Sequence, residues 1–341
     1  MRRFIKGLFK GHANGFIYGI IMSLFFANII LLSMHWQNTG SKNAVLPRYH
    51  FYAIFPGSND PFWADVKQGI VQAAASSKVA IEFNQLNPGD NVGTLDYLNI
   101  ARLSQVDGII TQGSGDSQIE QAINEAVEAG IPVVTLETDA KNSKRQAFIG
   151  ANSYLIGEQA AKLVIQGTRG RARVAVIMSG NAQTDTAAQN SMLNGFLTTL
   201  RDAPDAQMVK IYTANPGILN TEEIAQTILR QKNINAIYSV DPLFSVGVAQ
   251  TVINDNEVGR LTIVGYGISP EIESYIQRGV IYGIVAGNPL TIGSDSIKAL
   301  LELKEKNHTS SVIDTGITIV NRDTLANYQK KSAALTTGDQ T

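Results

Sequence analysis

From Tyr49 to Val320 the chain alternates short β-like runs with segments of helical length, and this alternation restricts the fold more than any other feature. The runs 51–55, 79–85, 107–111, 133–136, 146–149 and 173–178 read as strands, as do 209–212, 236–240, 261–264, 281–285 and 317–320. Between them, 92–103, 118–129, 154–166, 188–200, 222–231, 243–254, 271–278 and 292–306 carry helix-like periodicity. Repeated β-α units predict parallel sheets covered by helices on both faces. The strands are too many for one compact sheet of ordinary size. Two doubly wound α/β lobes with a cleft between them are expected.

The first unit, FYAIFPGSNDPFWADVKQ over Phe51–Gln68, shows where a ligand would sit. An apolar strand runs into Pro56-Gly57-Ser58-Asn59-Asp60-Pro61, a cluster of turn formers. Pro61 suits the first helical position, where its missing N–H is no loss. Asp60 before it suits the cap. Val66, Ile70 and Val71 then mark an amphipathic helix. Phe62 and Trp63 therefore stand at a strand-loop-helix junction, and such junctions at strand carboxyl ends hold ligands in open parallel sheets. Filling core is the competing role for both rings.

The N-terminus has a different character. Residues 1–15 carry Arg2, Arg3, Lys6 and Lys10 and no acid, and read as a cytoplasmic basic tail. Residues 16–36 lack any Asp, Glu, Lys or Arg. At ~1.5 Å rise per residue they match the ~30 Å hydrocarbon core, with Asn28 the one awkward polar residue and Trp36 at the far interface. An uncleaved anchor is favoured over a signal peptide, because no small-x-small cleavage pattern is evident near 32–40. Basic residues before the span place the N-terminus in the cytoplasm and the remainder of the chain outside. Residues 37–48 read as a tether. Six of the 28 basic residues and none of the 29 acids precede position 49, so the rest of the chain is acidic, 22 basic against 29 acidic. That balance argues against a nucleic-acid surface. There is no cysteine, which removes disulfides, thiolate metal sites and a lipid-modified cysteine, and fits an extracytoplasmic protein.

Enzyme signals are weak. The histidines are His12, His35, His50 and His308, none beside a serine in a recognisable order, and Ser179 lacks the G-x-S-x-G elbow. No H-E-x-x-H or phosphate-loop motif occurs, and nothing calls for a cofactor or metal. Asp60, Glu137, Asp139 and Asp241 could pair for glycoside hydrolysis or chelate a metal. Solvated or ligand-bonding acids are the preferred reading.

Ser58-Asn59-Asp60-Pro61-Phe62-Trp63, Val106–Ile110, Gly130–Leu136, Ile263–Tyr266 and Asp314–Ile317 fall in one order and spacing. Together they resemble the ribose-binding-protein-like sugar-binding proteins of bacterial ABC uptake systems, type I periplasmic binding proteins, over about residues 49–325. The resemblance implies two lobes joined by a three-crossing hinge. One lobe would hold 49–152 and 288–316, the other 153–287 and 317–325, with 326–341 a flexible tail. It also implies hinge closure around a ligand.

By the same resemblance Phe62 and Trp63 stack on the sugar, Asp60 lies beside them, and Glu137 and Asp241 bond hydroxyls. The departures are informative. Met192 and Thr138 stand where ribose-type proteins carry arginines, Gly267 where they carry an aspartate, and Gly287 where they carry a glutamine. Buried hydroxyls left unpaired cost ~1–3 kcal/mol each, so ribose bound in the usual way does not fit. A larger or less polar ligand does, with Asn288, Gln112 or Asn181 as substitute contacts; loss of small-molecule binding is the alternative. Delivery to an ABC permease and presentation to a membrane sensor kinase both remain open as outputs.

Overall fold

A computed structural model of the chain describes residues 22–31, 46–57, 61–86, 93–180, 186–215 and 218–337. The chain divides into two compact units, Met1–Leu46 and Pro47–Thr341. In the first, residues 22–31 form a helix (α1) with Met22, Leu24, Phe25, Phe26, Ile29, Ile30 and Leu31 exposed. Asn28 returns its amide to the Leu24 carbonyl at 3.1 Å, which partly satisfies the polar residue within its own helix. Among the described residues no helix is long and apolar enough to cross a membrane. The remainder of the expected 16–36 span lies outside the described residues.

The second unit contains two six-stranded sheets. The first has the order β11-β5-β4-β3-β1-β2, with β1 Tyr49–Pro56, β2 Val79–Leu86, β3 Gly108–Gln112, β4 Val133–Leu136, β5 Ala147–Gly150 and β11 Val312–Asp314. The second runs β12-β10-β9-β8-β6-β7, with β6 Arg173–Ser179, β7 Gln207–Ala214, β8 Ala236–Ser239, β9 Thr262–Tyr266, β10 Gly283–Gly287 and β12 Ile317–Asn321. The chain passes between sheets after β5, after β10 and after β11. At the last passage Gly316 adopts φ +74°, which a side chain would strain, and its N–H is held by the Asp314 carboxylate at 2.9 Å. All pairings are parallel except β10 with β12, so the second sheet is mixed and not purely parallel.

Helices cover both faces because each strand buries side chains in two directions: Phe51, Ala53 and Phe55 enter one core, Tyr52 and Ile54 another. Helix α2 (Pro61–Ser77) docks through Val66, Ile70 and Ala74, one residue per turn, while Val71 lies on its exposed side and contributes nothing to the core. Two helix pairs sit unusually close. Helix α2 meets α10 (Pro289–Lys306) at Gly69 and Gly293, where an added Cβ would overlap the backbone of Leu290 and of Val66. Helix α5 (Ser153–Gly167) meets α6 (Thr186–Leu200) at Gly157 and Gly195, where a Cβ would overlap the backbone of Met192 and of Tyr154. Each pair flanks one side of the space between the sheets.

Two elements differ from expectation. The short strand β11 was not anticipated, since Val312 and Asp314 are exposed and the run has no apolar pattern. Residues expected as a flexible tail form α11, Leu325–Thr337. Leu325 is buried and Tyr328 packs on the core of the second lobe, and Gln329 bonds Glu273 at 2.6 Å. These few contacts hold a segment whose sequence mixes polar residues with alanines and leucines and has no clear apolar stripe.

Candidate functional site

The two sheets point the carboxyl ends of their strands at a shared cleft of about 340 Å³. In both, the second strand lies outside the first and the third on its other side, so β1/β3 and β6/β8 are switch points where adjacent loops part. From the first lobe come Phe62 and Trp63 after β1, Gln112 at the end of β3, and Glu137 and Thr138 after β4. From the second come Gln189 and Met192 on α6, Asp241 after β8, Tyr266 and Gly267 at the end of β9, and Gly287 closing β10.

The aromatic wall is preorganised. Phe62 and Trp63 meet edge to face with centroids 5.2 Å apart, and Trp63 also leans on Phe55 at 5.6 Å. Both are partly buried, so they pack on the core of the first lobe while lining the cleft. Core-filling and site-lining, which the sequence set against each other, are combined in the same two rings.

Glu137 is a strongly perturbed carboxylate in the cleft. Its backbone adopts φ +60°, a left-handed conformation uncommon for a residue with a side chain. Its Oε2 accepts a 3.3 Å hydrogen bond from the Tyr266 hydroxyl, a contact between the lobes. Its Oε1 is buried without a hydrogen-bond partner among the described residues. Burial pushes the carboxyl up to about 7, more than the Tyr266 hydrogen bond lowers it. Burial, together with the nearby Glu137, likewise raises the Tyr266 hydroxyl. Gly287 lies alongside: a Cβ there would stand 3.9 Å from Glu137 Oε1 and 3.8 Å from the Tyr266 hydroxyl. Gly287 therefore puts no side chain over the orphaned carboxylate oxygen, which is nonetheless buried.

The other sequence-derived residues separate by role. Asp241 caps α8 (Pro242–Asn254), accepting from Leu243 N at 2.8 Å, and also lines the cleft. Met192 is a core residue whose edge reaches the cleft. Thr138 lines the cleft while its carbonyl holds Gly113 N at 2.8 Å. Gly267 takes φ +79° against Pro242. Asn288 does not line this cleft; it caps α10 through Thr291 N at 3.3 Å and faces a neighbouring cavity of about 270 Å³. Asp60 and Asn181 lie outside the described residues. Asp139 is committed to a two-pronged ion pair with Arg145, both bonds 2.7 Å, which ties down the loop after β4.

Sequence reasoning missed Asp65, Gln189, Glu273, Tyr328 and Ser332, all on the cleft wall. Asp65 lies one turn beyond Phe62 on α2, so helical spacing was the available signal. Tyr328 and Ser332 belong to α11 and offered none.

The geometry has clear counterparts. The periplasmic binding protein domain family matches residues 51–307. The D-allose-binding periplasmic protein of Escherichia coli (strain K12) is 25% identical over 256 residues, covering 72% of this chain and 82% of that protein. Among solved structures, GanP, a glucose-galactose binding protein from Geobacillus stearothermophilus, superposes with a TM-score of 0.73 at 29% identity, covering 81% of this chain and 98% of that one. A chain of the XylFII-LytSN complex gives a TM-score of 0.69 at 25% identity, covering 81% and 99%. Two α/β lobes of this connectivity are the type I periplasmic binding protein fold, and the matched family and relatives are binding proteins. On that match, the chain belongs to the periplasmic binding protein domain family.

Proposed function

We propose that this chain is a membrane-tethered extracytoplasmic solute-binding protein that captures a carbohydrate by hinge closure. The observation that carries this reading is the pairing of an aromatic edge, Phe62 and Trp63, with polar groups from both lobes around one cleft. Sugar C–H faces stack on aromatic rings, and hydroxyls bond carboxylates, amides and phenols. Glu137, Gln112, Gln189 and Asp241 supply the latter. Relatives named for allose and for glucose and galactose support the class. The apolar residues of α1, within the charge-free stretch 16–36, support the tether.

Two outputs follow the same binding event. Delivery to an ABC permease is the role the ribose-type resemblance implies. A sensing role is favoured by the likeness to a chain of the XylFII-LytSN complex, which is an assembly of two different proteins. A fixed tether suits sensing, since the domain need not diffuse. Only a partner that distinguishes open from closed lobes could read the ligand.

The chain contains two tryptophans, Trp36 and Trp63, so the emission change on ligand addition assigns to Trp63 once Trp36 is replaced by Phe. A bound sugar is expected to shift or quench that emission and to raise the melting temperature by mass action. Trp63→Ala should weaken binding by about 0.5–1.5 kcal/mol beyond the lost area. A broad carbohydrate panel that leaves both emission and melting unchanged would count against the reading.

A further inference from the structure

The cleft is charged in one sense only. Among the described residues lining it are four carboxylates, Asp65, Glu137, Asp241 and Glu273, and no Lys, Arg or His. The parts of 47–337 outside the described residues, 58–60, 87–92, 181–185 and 216–217, contain no basic residue either. The acids form two sets, each around a tyrosine. Glu137 from the first lobe and Asp241 from the second both act on Tyr266; Asp65 and Glu273 act likewise on Tyr328.

An acidic lining alone would be a solvated surface. Here one carboxylate is not solvated: Glu137 Oε1 is buried, has no partner among the described residues, and lies beside Gly287, with both residues lining the cleft. Asp65 likewise carries no hydrogen bond or ion pair among the described residues, and burial raises its carboxyl. A buried carboxylate oxygen without a cation or donor is costly, and removing that cost is what a matching ligand does. A neutral hydroxyl donates one hydrogen bond. An ammonium donates three and adds charge, and aromatic rings of the kind that line the cleft, Trp63, Tyr266 and Tyr328, attract cations further. An anionic sugar meets only repulsion.

Resting on the carbohydrate reading above, we propose that the cleft selects an amino sugar, whose ammonium group sits against the Glu137 carboxylate and the rings beside it. Sugar acids and sugar phosphates are excluded by the same four carboxylates.

The test is calorimetric titration of the full-length protein with matched probes: the neutral, 2-amino-2-deoxy and uronic acid forms of glucose, galactose and mannose. In the series that fits best, the amine is expected to bind about tenfold tighter than its neutral parent, the margin between charged and neutral hydrogen bonds, and the uronate weakest. Glu137→Gln should erase that margin, weakening the amine more than its neutral parent. If Glu137→Gln does not fold, salt decides the matter: the amine's affinity should fall more steeply with added salt than the parent's, and equal slopes overturn the proposal. A margin that survives in a folded Glu137→Gln overturns the assignment to Glu137. Neutral sugars binding as tightly as their amines in every series overturn the ammonium site and leave the carbohydrate reading standing. No binding in any series overturns both.

Discussion

Glu137 carries most of what can be tested at the level of one side chain. Burial raises its carboxyl from an ordinary 4.5 to about 7, so the folded protein holds a proton that the unfolded chain releases. Below 4.5 both forms are protonated and the group costs nothing; as pH rises from 4.5 to 7 the unfolded state ionises first and stability falls. The loss amounts to roughly 3 kcal/mol once pH exceeds the folded value. Stability measured by denaturant should therefore decline across that window in the unliganded protein. Glu137→Gln, which keeps the shape but cannot ionise, should flatten the decline. An identical pH profile in the variant would show that the carboxyl is better solvated than its surroundings indicate.

Among the elements, the two close helix pairs position the cleft. Helix α2 carries Phe62 and Trp63 and is drawn onto α10 at Gly69 and Gly293; α6 carries Gln189 and Met192 and is drawn onto α5 at Gly157 and Gly195. By helix propensity alone, Gly157→Ala should stabilise by about 1 kcal/mol. The added Cβ would instead overlap the Met192 carbonyl, on helix backbone that yields only by separating α5 from α6. We expect a net loss of about 1–3 kcal/mol in chemical denaturation. Gly115→Ala, with open space around it and no positive φ, is the control, and should change stability by less than about 1 kcal/mol. Equal effects of the two substitutions would mean that the helices can separate freely. Helix α11 shows the opposite case: without a clear apolar stripe in sequence, it is held by Leu325, Tyr328 and the Gln329–Glu273 bond, and brings Tyr328 and Ser332 to the cleft.

For the molecule as a whole, the lobes are joined by three chain passages and touch through Glu137 and Tyr266. That contact uses the same carboxylate a ligand would engage, so ligand and lobe closure draw on one group. The proposed attachment to the membrane is a separate matter and would rest on residues 16–36. If that stretch is an uncleaved anchor, protein from its native host keeps Met1 or Arg2 and stays with membranes at high salt. A soluble form beginning between residues 34 and 44, found by N-terminal sequencing, would identify a signal peptide instead.

The β-α alternation was enough to imply two parallel-sheet lobes, because hydrophobic period and turn chemistry are local properties that each segment carries by itself. The aromatic pair at the first strand-helix junction was legible for the same reason: Phe62 and Trp63 follow directly from Pro56–Pro61. What the sequence could not supply were relations between distant segments. Met192 reads as a pocket residue in sequence and proves to be core that reaches the cleft, and Asn288 caps a helix and faces a different cavity. The approach of Gly157 to Met192, the Tyr266 hydroxyl against Glu137, and the arrival of α11 at the cleft all join residues far apart in the chain. Such contacts exist only once the sheets have stacked their helices, since burial and orphaned hydrogen-bond capacity belong to the packed structure and not to any one segment.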